Sequence, residues 1–369
     1  MSSNISTTTV STDLIQAGRI LPICEEYLIV MIYIFGFIGS LLNIFIFLQK
    51  RLRIKSCSIY FLLCSFVDFS FLNSFMLMHL ISLFNLKPFS SINSTNFWCK
   101  LGNYFYFLLP CLTSTYLILT SIDRFCASSP NNKLQKLNQL KTTYLLTLFI
   151  FFIWISFALH IPIDYNLIQL SQTNNTQCTP SLNNVQLFVI IDGYFFALYN
   201  GIITPFFLVV FGLLILRNIK LIHRRTNPQL ASTMILEVNH QINIRLTRGN
   251  QHLITMLLVQ VSLTVLLNIP YITFYLYGIY NSTPRYWLSL LIYRICTYIA
   301  RWFWFMNFSK SFYVNICSSQ IFRNILKRRI IQLFFFGECH RNQVHQIISQ
   351  QIQRQLSSNS DYNLELIRR

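Results

Sequence analysis

Seven stretches of this chain are apolar over about 20 residues or more, the length that an α-helix needs to cross a lipid bilayer. They lie at residues 27–48, 57–81, 101–123, 143–163, 187–216, 252–279 and 288–314. Runs such as YLIVMIYIFGFIGSLL favour helices, because a membrane strand alternates polar and apolar residues and this run does not. The pattern predicts an all-α membrane protein, built as a bundle of seven transmembrane helices.

The composition excludes a large water-soluble protein. Only 11% of the 369 residues are charged, whereas soluble proteins carry roughly 25%. A formal net charge of +18 would suggest nucleic-acid binding if the cations shared one face. They lie instead in the segments between the apolar runs, so we expect membrane lipid as a partner and no nucleic acid.

Lys and Arg are concentrated after the first, third, fifth and seventh spans and are sparse in the other segments. Because cytoplasmic segments are enriched in Lys and Arg, we expect a plasma-membrane protein with an extracellular N-terminus and a cytoplasmic C-terminus. The N-x-[ST] sequons outside the spans agree, since all lie in segments predicted to be extracellular. The glycosylation sites predicted in this way are Asn4, Asn93, Asn174 and Asn281.

The chain divides into three predicted parts. Residues 1–26 form an extracellular N-terminus, rich in Ser and Thr, which we expect to be disordered. Residues 27–316 form the transmembrane domain, and residues 317–369 lie in the cytoplasm. Within the last part, residues 318–336 place apolar residues at helical spacing with basic residues between them, which predicts a short amphipathic helix along the inner leaflet. Cys339 follows it and is a candidate for palmitoylation.

Catalytic motifs are absent from the sequence. It contains no H-E-x-x-H, G-x-S-x-G or phosphate-binding loop, so we expect neither an enzyme nor a resident metal or cofactor. A transporter or channel would call for inverted repeats or broken helices with paired acids at the midplane, and the sequence contains neither.

Polar residues inside the spans narrow the class, because charges at membrane depth are costly and tend to be functional. The sequence SIDRF closes the third span at residues 121–125. Further single polar, tryptophan and proline residues occur in the other spans, in the order Asn43, Asp68, Trp154, Pro162, Pro205 and Pro270. With these motifs the chain resembles the rhodopsin-like (class A) G-protein-coupled receptors over residues 25–325. The runs LLVQVSLTVLLNIPYITFYLY and SFYVNICSSQIF are most similar to invertebrate neuropeptide receptors.

The resemblance implies roles for several residues. Asp123, Arg124 and Phe125 would form the G-protein coupling switch, in which Arg124 leaves Asp123 upon activation. A second set would form a polar pocket that could hold a sodium ion, and consists of Asn43, Asp68, Thr113 and Asn307. Cys99 and Cys178 would form an extracellular disulfide. A second bridge between Cys24 and Cys296 and two free thiols remain equal alternatives.

The sequence departs from the family pattern at several positions. The sixth span reads LNIP at residues 267–270, without the tryptophan of C-W-x-P, and SFYVN at residues 311–315 stands in place of N-P-x-x-Y. Leu213 stands where the fifth span usually has a tyrosine. Asn250 lies where an acid would pair with Arg124. Coupling could therefore be weak, constitutive or absent.

The same comparison of positions bears on the ligand. Tyr106 stands where amine receptors have an aspartate, and Phe305 stands where opsins have the Schiff-base lysine, so both ligand classes are disfavoured. A predicted outer pocket consists of Tyr106, Asp192, Tyr275, Arg301 and Trp304. We expect a neuropeptide whose carboxylate, or an acidic side chain, pairs with Arg301. The alternative is that Arg301 pairs within the chain, with Asp192 or Asp164.

The sequence therefore predicts a G-protein-coupled receptor that binds an extracellular ligand and activates heterotrimeric G proteins. A chemosensory receptor for small molecules on the same scaffold is the alternative. Serines in the C-terminal tail are candidate phosphorylation sites for arrestin binding, namely Ser357, Ser358 and Ser360. The ligand, the G-protein subtype and the oligomeric state are not determined by these patterns.

Overall fold

The structure is a computed structural model and describes residues 3–84, 95–129, 132–169, 176–180, 189–225, 234–280, 286–329 and 331. Seven long helical segments account for most of these residues. Five are single helices, namely α1 (Ser3–Phe47), α3 (Asn96–Ser128), α4 (Leu140–Ala158), α6 (Met234–Tyr280) and α7 (Trp287–Ser309). α2 joins Ser56–Phe71, a π-helical turn Leu72–Met76 and Leu77–Leu83, and α5 joins Val189–Phe195 (π), Phe196–Leu198, Tyr199–Ile203 (π) and Thr204–Arg225.

Shorter elements connect these segments. Short helices lie at Lys50–Arg53, Asn132–Leu137, His160–Asp164 and Ser311–Ser318. β1 (Tyr165–Gln169) and β2 (Thr176–Pro180) form an antiparallel hairpin. The chain divides into two compact units, Met1–Ser319 and Gln320–Arg369. In the second unit residues 320–329 are helical, within the predicted amphipathic segment, and Arg323, Lys327 and Arg328 are exposed there.

Six of the described helices are long and apolar enough to cross a membrane. They are Ile23–Phe47, Ser56–Ile81, Asn96–Ser128, Leu140–Asp164, Ile190–Ile219 and Ile254–Tyr280. These six match the first six predicted spans. α7, the predicted seventh span, is a helix of 23 residues but is not among the six. Arg294, Arg301 and several Tyr and Trp residues lower its mean hydropathy.

The outer surface of the bundle is more apolar than that of a soluble protein. Large apolar side chains face outward, such as Leu145 and Phe152 on α4, which are 75% and 61% exposed. Polar side chains such as Asn43 and Thr120 are almost fully buried. A soluble protein places its apolar residues inside, whereas lipid favours apolar residues outside and polar residues in the bundle. The distribution therefore suggests a membrane protein.

Two features differ from the sequence-based expectations. α1 begins at Ser3, so the described part of the segment 1–26, which was expected to be disordered, is helical from Ser3 onward. Extending an existing helix adds one hydrogen bond per residue fixed, which is far less costly than starting one. The second difference is the β-hairpin, because the fold was expected to be entirely helical.

The hairpin is attached to the start of α3. Cys178 of β2 pairs with Leu167 of β1 in the sheet and is bonded to Cys99, with 5.6 Å between the two Cα atoms. The backbone N–H of Leu167 also donates to Asn96 Oδ1 at 3.2 Å. The predicted Cys99–Cys178 disulfide is confirmed. We call the bundle end that carries this bond the disulfide end.

α1 and α7 pack closely where α1 has a glycine. A Cβ atom added to Gly36 would collide with Ser309 Oγ and would lie 3.0 Å from both Ser309 Cβ and Leu72 Cδ1. The hydroxyl of Ser309 donates to the carbonyl of Ile32 on α1 at 3.3 Å. A larger residue at position 36 would therefore separate the two helices and weaken this bond.

Replacing this glycine should reduce stability. We expect Gly36→Ala to lower the midpoint of thermal unfolding in detergent, at a cost of about 1–3 kcal/mol, because overpacking forces neighbouring atoms to shift. Gly212→Ala is the matched control, since a Cβ atom there would meet Leu258 Cδ2 at an ordinary 3.4 Å. The control should be neutral or slightly stabilised through its better helix propensity. Equal midpoints for the two variants would contradict the close approach.

Candidate functional site

Asp123 and Arg124 form a buried ion pair near the end of α3, which we call the arginine end of the bundle. Arg124 Nη2 lies 2.6 Å from Asp123 Oδ2, and Nε donates to the same oxygen at 3.1 Å. The side chain of Arg124 is only 4% exposed. Burying a charge costs several kcal/mol unless it is paired, so each residue neutralises the other. The ring of Phe125 packs against Phe211 of α5, with 5.8 Å between centroids.

Asp123 is also held by α2. Ser56, the first residue of α2, donates its hydroxyl to Asp123 Oδ1 at 2.6 Å and contacts Asn138 Oδ1. The carboxylate is thereby fixed between two helices, while the guanidinium of Arg124 is held by a neighbour on its own helix. Arg124 can therefore leave Asp123 through a change of side-chain rotamer, without unfolding α3. Asn250, predicted to lie opposite Arg124, has no described side chain.

A second polar cluster lies in the middle of the bundle around Asp68, which is 2% exposed. Thr113 of α3 donates to Asp68 Oδ1 at 3.0 Å. Ser311 donates to Asp68 Oδ2 at 3.1 Å and accepts from Gln260 of α6 at 3.1 Å. The carboxylate thus joins α2 to α3 and to the helix that follows α7.

The other two residues of the predicted polar pocket bond elsewhere. Asn43 donates to Ser65 at 2.6 Å and accepts from Asn315 at 2.9 Å. Asn307 donates to Asn268 of α6 at 2.9 Å. Asp68, Thr113 and Asn307 line one cavity, and Asn43 is not among the lining residues described. Seven polar residues that the sequence analysis did not assign to this pocket also line the cavity, namely Ser114, Asn200, Gln260, Thr264, Asn268, Lys310 and Ser311.

This cavity does not suit the sodium ion that the resemblance implied. Its volume is about 10 Å³, roughly what one water molecule requires. Lys310 lines it and interacts electrostatically with Asp68. Its ammonium group, which bonds to Asn307, therefore already places a positive charge at the cavity that contains Asp68.

The predicted ligand-binding residues lie on helices that meet toward the disulfide end. The hydroxyls of Tyr106 and Tyr271 are in contact. Trp304 stacks on Tyr271 with 4.6 Å between centroids and is 1% exposed. Tyr275 donates to the backbone carbonyl of Asp192 at 3.3 Å. These contacts join α3, α5, α6 and α7 through aromatic side chains.

The carboxylate of Asp192 contacts side chains from the helix His160–Asp164 and from β1. His160 Nε2 lies 2.7 Å from Oδ1, and the hydroxyl of Tyr165 donates to Oδ2 at 2.9 Å. Burial and, after it, the nearby Asp192 charge raise the pKa of Tyr165. The phenol therefore stays protonated and remains a hydrogen-bond donor to the carboxylate.

Arg301 has a partner that the sequence analysis missed. Its Nη1 lies 2.9 Å from Glu25 Oε1 of α1, while its guanidinium lies 5.7 Å from the ring centroid of Tyr298. Arg301 therefore pairs within the chain, as the alternative had it, but the acid is Glu25 and not Asp192 or Asp164. Glu25 was overlooked because residues 1–26 were expected to be disordered, whereas α1 carries this acid alongside α7.

Several predicted sites are unpaired or fall outside the described residues. Cys24 and Cys296 are free thiols, one exposed and one partly buried, so the possible second bridge is not formed. The sequons at Asn93, Asn174 and Asn281 lie outside the described residues, and only the backbone of Asn4 is described. Cys339 and the tail serines also lie outside them.

No family model matches the chain, and a search of curated proteins likewise finds no match.

The Glu25–Arg301 pair provides a test of the packing between α1 and α7. We expect Glu25→Ala to destabilise the protein by about 1–2 kcal/mol, less than for a fully buried pair because the Arg301 side chain is 34% exposed. Glu26→Ala removes the adjacent acid and is the matched control, which should unfold at the wild-type temperature. Thermal unfolding in detergent measures both variants. Equal destabilisation by both would show that the loss does not come from the Arg301 pair.

Proposed function

We propose that this chain is a seven-span receptor of the rhodopsin-like class, which binds an extracellular ligand and activates heterotrimeric G proteins. In this proposal α7 is the seventh span and the disulfide end faces the outside of the plasma membrane. The arginine end and the C-terminal tail then face the cytoplasm, where G protein and, through the tail, arrestin would bind. The four sequons would be glycosylated on the outer side.

The observation that carries the proposal is the buried Asp123–Arg124 pair. Retaining two ionised groups in an apolar bundle is costly even when they are paired. The pair joins neighbours on one helix, so by itself it holds no two helices together. A purely structural role would be served better by apolar side chains of similar volume. A cation that can exchange one partner for another explains its presence better, and in this proposal a cytoplasmic partner would dock at the arginine end.

For the ligand, a neuropeptide remains the first candidate. Its carboxylate, or an acidic side chain, would pair with Arg301. Since Arg301 Nη1 is bound to Glu25, such a ligand would compete with Glu25 for the guanidinium. The exchange of one carboxylate for another keeps the guanidinium paired throughout, so it avoids the cost of an isolated charge.

A small-molecule ligand is the second candidate, favoured by the closed packing of the aromatic residues. Trp304 is enclosed between Tyr271 and Phe196, and the Tyr106 hydroxyl contacts Tyr271. A compact apolar ligand could bind above these rings without reaching Arg301. Chemosensory receptors on the same scaffold would use such a site.

Nucleotide exchange tests the coupling switch. Membranes that contain the chain should bind a non-hydrolysable GTP analogue faster after addition of a fraction of neuropeptide extract. Arg124→Ala should abolish this response, because the cation that leaves Asp123 is lost. Asp123→Asn should raise exchange without extract, because the cation is no longer held. Arg294→Ala removes an exposed arginine of α7 and is the control, expected to respond like the wild type.

The proposal would be contradicted if the chain reached the cell surface but nucleotide exchange did not respond to any peptide or small-molecule fraction. For this outcome the absence of change must hold both for the wild type and for Asp123→Asn. An Asp123→Asn variant whose basal exchange matches that of Arg124→Ala would contradict the assignment of the pair as the switch.

The two ligand classes are separated by substitutions of the Glu25–Arg301 pair. If an anionic peptide pairs with Arg301, Glu25→Ala should lower the concentration for half-maximal response by removing a competitor, and Arg301→Ala should raise it by about ten-fold or more, as expected for loss of a charge-assisted hydrogen bond. For a small molecule that binds above the aromatic rings, the concentration for half-maximal response should be the same in both variants as in the wild type. Unchanged potency in both would therefore exclude the anionic peptide.

A further inference from the structure

Lys310 lies at a position where a positive charge needs an explanation. It separates α7 from the helix Ser311–Ser318, and its backbone still follows the helical path, with its N–H donating to Met306 O at 3.0 Å. Its side chain turns into the bundle. There Nζ donates to the carbonyl of Asn307 at 2.8 Å and contacts Asn307 Oδ1. Lysine side chains at membrane depth usually extend to the interface instead.

Asp68 is the acidic residue among those described that line the cavity with Lys310. Both line the same cavity, and each contributes to the electrostatic environment of the other. The carboxylate of Asp68 receives hydrogen bonds from the neutral donors Thr113 and Ser311, which do not cancel its charge. Among the described residues that line the cavity, Lys310 is the one with a cationic side chain. A buried carboxylate needs such a cation to remain ionised.

The space in the cavity limits what else can enter. About 10 Å³ is enough for one water molecule and too little for a metal ion that brings its own water ligands. A second monovalent cation beside the ammonium would also meet like-charge repulsion in a low-dielectric interior. Both the volume and the charge therefore oppose binding of a free cation.

We propose that the ammonium of Lys310 is a built-in counter-ion of Asp68, which takes the place of a diffusible sodium ion and makes this protein insensitive to sodium. The cation is covalently part of the helix that follows α7, so the link between that helix, α2 and α3 persists at any salt composition. The inference rests on the geometry of the bundle and not on coupling to a G protein.

Thermal unfolding of the purified full-length protein in detergent tests this inference. The unfolding midpoint is measured at equal ionic strength in sodium chloride and in choline chloride. The wild type should unfold at the same temperature in both salts. Lys310→Ser removes the ammonium and opens space, so its midpoint should be higher in sodium chloride by about 2–4 °C, as an ion binds the folded state.

Two controls make the result specific. Lys310→Met removes the charge but keeps most of the volume, so it should show no difference between the salts. Lys141→Ser removes an exposed lysine of α4 and should behave like the wild type. A wild-type midpoint that rises in sodium chloride would overturn the proposal. A folded Lys310→Ser variant with equal midpoints would overturn it as well.

A second measurement applies if Lys310→Ser does not fold. Asp68→Asn leaves the ammonium without its counter-ion and should lower the midpoint, while adding Lys310→Met to Asp68→Asn should restore part of the loss. Additive losses in the double variant would contradict the pairing. None of these measurements involves a G protein or a ligand. The counter-ion inference can therefore fail while the receptor proposal holds, and the receptor proposal can fail while the inference holds.

Discussion

The constraint on which this structure depends is that polar side chains buried in an apolar bundle must be satisfied by one another. Lipid offers no hydrogen bonds, so each unsatisfied polar group would cost several kcal/mol. Asn43 of α1 bonds to Ser65 of α2 and to Asn315, and Asp68 of α2 bonds to Thr113 and Ser311. These bonds join α1, α2, α3 and the helix Ser311–Ser318 through specific pairs of side chains. Apolar contacts alone would allow helices to slide or rotate, so these polar residues specify the arrangement as well as stabilising it.

The same constraint extends to the fourth and fifth helices through α3. Trp154 of α4 donates to Thr115 at 2.8 Å, and Tyr199 of α5 contacts the same hydroxyl oxygen at 2.6 Å. Ser114 of α3 donates to Asn200 of α5 at 2.8 Å. α3 is therefore the central helix, bonded to α2 on one side and to α4 and α5 on the other. Its two ends carry the disulfide and the Asp123–Arg124 pair, so both candidate sites are positioned by the helix with the most polar links.

Sequence reasoning could predict the features that depend on position along the chain. The spans follow from runs of apolar residues, and the 101–123 span lies within α3, Asn96–Ser128. Partners across helices were harder, because they depend on how each helix is rotated about its axis. Glu25 was missed because residues 1–26 were expected to form a disordered N-terminus, whereas α1 includes Glu25. Lys310 carries no motif that assigns it a role, and the cavity that it shares with Asp68 is visible only in the structure.

The distribution of charge pairs distinguishes the ends of the bundle from its middle. Arg301 and Arg124 each pair with one acid at hydrogen-bond distance, and each could exchange that acid for a group on a ligand or a protein partner. In the middle, Asp68 is buried and shares with Lys310 a cavity that has room for about one water molecule, so an outside group has little space beside the carboxylate. Any coupling between the ends must then proceed by helices moving as bodies around a fixed polar centre. A ligand would have to favour one such arrangement over another to transmit a signal. A covalently attached cation at that centre would make the balance between the two arrangements independent of the ionic composition outside the cell.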